Sequence, residues 1–124
     1  MIRGIRGATT VANDSEQEVI LSTESLLLEM INQNHVNPDQ TASVFISVTP
    51  DLVSAFPAKA LRKIHGWDYV PVMCMQEIPV EGSLPRCIRV MLHVNTEVKQ
   101  SDIIHIYQRD AVTLRPDLVN NSKL

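Results

Sequence analysis

The chain has 124 residues, 44% of them hydrophobic and 20% charged, and a net charge of −3; this composition excludes intrinsic disorder and leaves room for one core but not two. The acidic balance argues against a broad basic surface for nucleic acid, and five aromatic residues (Phe45, Phe56, Trp67, Tyr69, Tyr107) are too few for a base-stacking platform. Two cysteines, each inside an apolar run, make neither a zinc framework nor a disulfide scaffold; with no signal core and no apolar stretch of ~20 residues, a reduced, cytoplasmic, single domain over 1–124 is expected.

In chain order, residues 2–11 are apolar or small around Arg3 and Arg6, and Thr9, Thr10 and Val11 favour extended backbone, which predicts a first strand. Ser15 to Glu18 matches a capping box, Asp14 and Glu16 add negative charge at a helix start, and an apolar stripe follows at Val19, Thr23, Leu26 and Met30. That pattern predicts a long helix over 15–34. Asn37-Pro38-Asp39 breaks it, and Ala42 to Val48 suits a buried second strand. Pro57 at a first helical turn and Gly66 at a left-handed cap bracket a short helix over 57–65. Tyr69 to Glu77, Cys87 to Thr96 and Ile104 to Leu114 read as strands three, four and five, with a turn at Glu81-Gly82-Ser83 and a brief helical turn around Asp102. The polar tail from Pro116 to Leu124 is expected to be mobile. Two helices cannot cover both faces of five strands, so oligomerisation is the expected remedy, and sites commonly form where subunits meet.

Arg89 lies in the apolar run Cys87-Ile88-Arg89-Val90-Met91-Leu92, where a guanidinium is costly unless it is paired with an acidic neighbour or aimed at an anion. Both readings are open. Arg6 on strand one raises the same question, and a solvated edge is its default. Glu77 closes strand three, where a carboxylate either accepts a ligand hydroxyl or faces water; strict alternation puts it on the face opposite Cys74. Tyr107 shares parity with His105, Arg109 and Arg115 on the expected fifth strand, and Lys59 and Arg62 share one face of the short helix. The four histidines lack metal-binding spacing, and neither a glycine-rich phosphate loop nor a nucleophile elbow is present.

Five strings occur in order along nearly the whole chain: Arg3-Gly-Ile-Arg-Gly-Ala-Thr-Thr10, Phe56-Pro-Ala-Lys-Ala60, Cys74-Met-Gln-Glu77, Cys87-Ile-Arg-Val90 and Leu114-Arg-Pro-Asp-Leu118. Together they closely resemble the trimeric chorismate mutases, a family unrelated to the all-helical enzymes of that activity. The resemblance implies an α+β fold: a mixed five-stranded sheet with one long and one short helix, three copies packing into a pseudo α/β barrel with sites in the clefts between subunits. It also implies an isomerase of aromatic amino acid (Phe/Tyr) biosynthesis that converts chorismate to prephenate with no cofactor and no metal, and with no nucleic-acid or membrane partner. Carried over by position, Arg6 binds the side-chain carboxylate, Arg89 reaches the ether oxygen and a carboxylate, Glu77 takes the ring hydroxyl, and Tyr107 meets a carboxylate. Phe56, Ala58, Lys59, Arg62, Met73, Cys74, Leu114 and Arg115 line the remainder. Met73 departs from the small polar residue of the family pattern.

The reaction suits such residues. A [3,3] shift moves no proton; it needs the folded conformer to be held and the charge growing on the ether oxygen to be met by a fixed cation. An arginine remains protonated throughout the usable pH range and can fork between two oxygens. Two competing expectations are an imine or enamine deaminase of similar trimeric architecture, and a catalytically silent module that binds an aromatic-pathway metabolite.

Overall fold

A computed structural model describes residues 1–117; the expectation for the tail beyond Asp117 lies outside the described residues. Five strands, β1 (Ile2–Thr10), β2 (Thr41–Val48), β3 (Val72–Gln76), β4 (Cys87–Asn95) and β5 (Ile106–Tyr107), form one sheet in the order β3-β2-β4-β1-β5. β4 runs antiparallel to both β1 and β2, whereas β3 is parallel to β2 and β5 parallel to β1. The sheet is therefore mixed.

One long helix, α1 (Glu16–Asn34), packs on one face. Ser15 caps it by accepting the Glu18 N–H at 3.2 Å, as the capping box predicts. The reciprocal half differs. Glu18 Oε1 reaches past the cap and accepts the N–H groups of Ala12 and Asn13 at 2.6 and 3.3 Å, tying the helix start to the end of β1. The apolar stripe, Val19, Ile20, Leu26, Leu27 and Met30, is buried against Ile5, Val44, Ile46, Val90 and Leu92 of the sheet. Gly7 permits this close approach: a Cβ there would collide with Met30 Sδ. The helix ends on His35 in the left-handed conformation, with φ 52°.

The other segments depart from expectation in informative ways. Residues Pro57–Lys63 form a 3-10 helix, shorter and tighter than the helix expected over 57–65, and Gly66, at φ 89°, follows it in a turn. β3 begins three residues late, at Val72, because Trp67 to Val70 form a turn that buries Trp67 and leaves Tyr69 exposed. The largest correction concerns strand five. Only Ile106–Tyr107 pair with β1; Gln108 N–H still donates to the Ala8 carbonyl, but Arg109 takes φ 52° and the chain turns into a 3-10 helix over Arg109–Thr113 that buries Ala111. A residue with positive φ cannot continue a strand. The expected alternation of Tyr107 with Arg109 and Arg115 therefore does not exist, and Arg109 points instead towards Glu18, 4.0 Å away.

Among the described residues, the sheet face opposite α1 is left largely uncovered. It carries Phe45, Met73, Met75 and Met91, with Met73 61% exposed, which is the under-covered sheet expected from the count of helices.

Candidate active site

The register of the sheet brings the charged residues together. Met75 on β3 pairs with Ser47 on β2, Ser47 with Arg89 on β4, Arg89 with Ala8 on β1, and Ala8 with Tyr107 on β5. This row crosses all five strands on the open face. Arg6 lies two residues from Ala8 and so shares that face. A cleft of about 370 Å³ follows the row and is lined by Arg6, Ser47, Met75, Arg89, Tyr107, Leu114 and Arg115, among others. Because the chain turns after Tyr107, Leu114 and Arg115 come back to this cleft, which a continuous fifth strand would have prevented.

Glu77 sits one residue past β3, yet its N–H still donates to the Val48 carbonyl at 2.8 Å, so the alternation persists and its carboxylate reaches the open face. There Arg89 Nε lies 3.2 Å from Glu77 Oε2, with the two side chains 45% and 28% exposed. Arg89 thus has the acidic neighbour of the first reading, and it also lines a cleft. The contact is made through Nε, on the flank of the guanidinium. Ser47 Oγ donates to the same Oε2 at 2.8 Å, a contact that no motif in the sequence singles out. Cys87 is buried at the start of β4; its N–H donates to Thr49 Oγ1 at 2.9 Å, and burial pushes its thiol up against the lowering pull of Arg89.

His105 is likewise absent from the residues that the sequence points to. Its Nδ1 accepts the backbone N–H of Arg6 at 2.9 Å, standing in for a strand carbonyl at the seam between β1 and β5. Burial first, and then the charges of Arg6 and Arg115, hold its pKa below the usual imidazole value, so the neutral acceptor form is favoured. Arg115 pairs with Asp117 through Nε and Nη2, at 3.2 and 3.1 Å.

The remaining predicted residues lie elsewhere. Cys74 is on the opposite face from Glu77, as alternation requires, packed at the edge of the core with its thiol pushed up by burial. It joins Phe56, Ala58, Lys59 and Arg62 around a separate cleft of about 270 Å³. A larger apolar cleft of about 570 Å³ adjoins Phe56, Lys59 and Cys74 and runs along residues 48–57. Asp14 anchors that loop by accepting the N–H groups of Val53 and Ser54, the shortest contact to each at 3.1 Å, and Lys59 Nζ lies 3.5 Å from Glu16. Met73 belongs to neither charged group; it pairs with Phe45 on the open face. A single chain therefore presents two clefts that share no lining residue. Among the described residues no group of three or more His, Cys, Asp or Glu is placed to hold a metal ion, and no helix is long and apolar enough to cross a membrane.

Known proteins resemble this chain over nearly its whole length. The family model for chorismate mutase type I matches residues 2–118. The chain is 53% identical over 118 residues to chorismate mutase AroH of Bacillus subtilis (strain 168), covering 95% of this chain and 93% of that one. It is 48% identical over 119 residues to chorismate mutase AroH of Thermus thermophilus, covering 95% and 97%. A solved chorismate mutase from Clostridium thermocellum superposes with a TM-score of 0.86 at 46% identity, over 89% of this chain and 97% of the other. These matches favour the mutase reading over the trimeric deaminase. With a family match across nearly its whole length and relatives of about half identity, the chain belongs to the type I chorismate mutases.

Proposed function

We propose that this chorismate mutase converts chorismate to prephenate in clefts between the subunits of a homotrimer, by holding one substrate conformer and stabilising charge at Arg89. Chorismate is a dianion with a ring hydroxyl and an enolpyruvyl ether. Arg6 and Tyr107 take carboxylate, Glu77 accepts the ring hydroxyl, and the Nη edge of Arg89 faces the ether oxygen. As the C–O bond breaks, negative charge grows on that oxygen, so a fixed guanidinium interacts more strongly with the transition state than with the ground state. Holding the folded, diaxial conformer supplies the rest, since the two reacting carbons must meet within one molecule.

The observation that carries the reading is the row of Ser47, Arg89, Ala8 and Tyr107 across the open face, flanked by Arg6 and Glu77. Ala8 matters because its small side chain leaves space between two large polar neighbours. Phe56, Ala58, Lys59, Arg62 and Cys74 face a different cleft, and they complete the site when a neighbouring copy brings them over the row. The bare face with Phe45, Met73, Met75 and Met91 supports such packing, because an apolar sheet face is stable only when covered. Chemistry of this kind fits a cytoplasmic enzyme that draws on a soluble metabolite.

Subunit mixing tests both parts. Arg89→Ala and Lys59→Ala each disable one half-site. If the site spans two subunits, co-refolding the two inactive variants restores chorismate consumption, because some interfaces then join two intact halves. A mixture as inactive as its parents, with native mass spectrometry showing mixed trimers, refutes the shared site.

A further inference from the structure

We infer that Ser47 is a positioning residue for the reaction, holding the Glu77 carboxylate so that the working edge of Arg89 stays open; the inference rests on the function proposed above. Glu77 lies one residue past the end of β3, with its N–H still held by the Val48 carbonyl. Among the described residues two groups reach its carboxylate, both at Oε2: Ser47 Oγ donates a hydrogen bond at 2.8 Å, and Arg89 Nε lies 3.2 Å away. Ser47 is the cross-strand partner of Arg89, so one hydroxyl beside the guanidinium decides where the carboxylate rests. This leaves Oε1 for the ring hydroxyl.

The need for such a peg follows from the geometry that arginine and carboxylate prefer. Left alone, a carboxylate forks onto two guanidinium N–H groups at once. If Glu77 did so at the Nη edge of Arg89, it would occupy the donors meant for the ether oxygen and cancel the charge that the transition state uses. The hydroxyl of Ser47 opposes that swing by holding Oε2 on the Nε flank. The half-buried position of Ser47 makes the hydrogen bond worth keeping, because a bond to a charged group out of water is stronger than one at a fully wet surface.

The effect belongs in kcat more than in KM, because the carboxylate-binding residues Arg6 and Tyr107 are untouched while transition-state stabilisation falls. The experiment compares Ser47→Ala and Ser47→Thr in two backgrounds, wild type and Glu77→Gln, by the loss of chorismate absorbance. In the wild-type background Ser47→Ala is expected to lower kcat about 10- to 100-fold, the range for a hydrogen bond to a charged group, with KM changed by less than about threefold. Ser47→Thr keeps the hydroxyl and should restore most of the rate. In the Glu77→Gln background, where no carboxylate competes for Arg89, the same Ser47→Ala change should cost less than about threefold, as expected for two residues acting as one unit. Equal losses in both backgrounds, a loss confined to KM, or failure of Ser47→Thr to recover activity would overturn the assignment. Full turnover in Ser47→Ala would overturn it while leaving the mutase reading intact; a wild-type protein unable to consume chorismate would remove both.

Discussion

Replacing Arg89 with lysine isolates the feature on which the proposed chemistry turns, because charge is kept while the fork is lost. In the wild type, Nε meets Glu77 Oε2 at 3.2 Å, and the proposed chemistry assigns the Nη edge to the substrate. A lysine has one nitrogen. Drawn to Glu77, that ammonium would sit where Nε now lies, and nothing cationic would stand at the ether oxygen. A unit charge about 4 Å away at an effective dielectric constant of about 20 interacts by about 4 kcal/mol. Only the part that grows between ground and transition state counts towards rate, and losing one preorganised donor typically costs about 2.7–4 kcal/mol, or about 10²–10³ in kcat. Arg89→Lys should therefore lose at least about a hundredfold in kcat, and Arg89→Ala more, since it leaves the Glu77 carboxylate beside a dianion. Steady-state loss of chorismate absorbance gives kcat and KM, and the unfolding midpoint shows that the variants remain folded. A folded Arg89→Lys enzyme within tenfold of the wild-type kcat, or one altered only in KM, would refute the assignment of Arg89 to the ether oxygen.

Two further outcomes follow from neighbouring contacts. Gly7→Ala forces a methyl group against Met30 Sδ, so the buried Met30 side chain or α1 itself must move; overpacking of this kind costs about 1–3 kcal/mol and is read from denaturant unfolding, with unchanged stability contradicting the packing described. His105 gives a pH dependence with a definite sign. Its folded pKa lies below 6.5, so the unfolded chain takes up the proton first. Its contribution to stability is complete above pH 6.5 and falls as the pH drops towards the folded pKa. Protonation also removes the acceptor for the Arg6 N–H, so kcat/KM should be flat from neutral pH upward and fall on the acid side. His105→Asn, which cannot titrate, should weaken that acid limb; a bell-shaped profile centred near pH 7 would point to general acid–base chemistry instead.

Local signals make most of the framework legible in the sequence itself. The helix over 15–34 is set by a serine cap, an acidic first turn and a 3.6-residue stripe, all short-range effects, and it ends within a residue of that reading. Strands one, two and four are equally clear because their apolar runs are buried and bounded by turn residues. Strict alternation also separates Cys74 from Glu77 correctly, since a strand's side-chain period holds wherever one face is buried. The five strings that resemble the chorismate mutases carry the family assignment.

Other features depend on partners distant in sequence. Strand five reads as eleven residues because Ile104, Ile106, Tyr107, Val112 and Thr113 are β-favouring, yet the positive φ of Arg109 and the burial of Ala111 end it after Tyr107, an override by packing that propensity does not contain. The same turn returns Leu114 and Arg115 to the cleft. Ser47 and His105 carry no motif: each matters only because register sets a hydroxyl beside Glu77 and an imidazole beside the Arg6 N–H. Residue order determines which positions favour a strand and which face they share; the pairing of strands, and hence which charges become neighbours, is decided by the collective burial of the sheet against α1, and only the tertiary structure contains that.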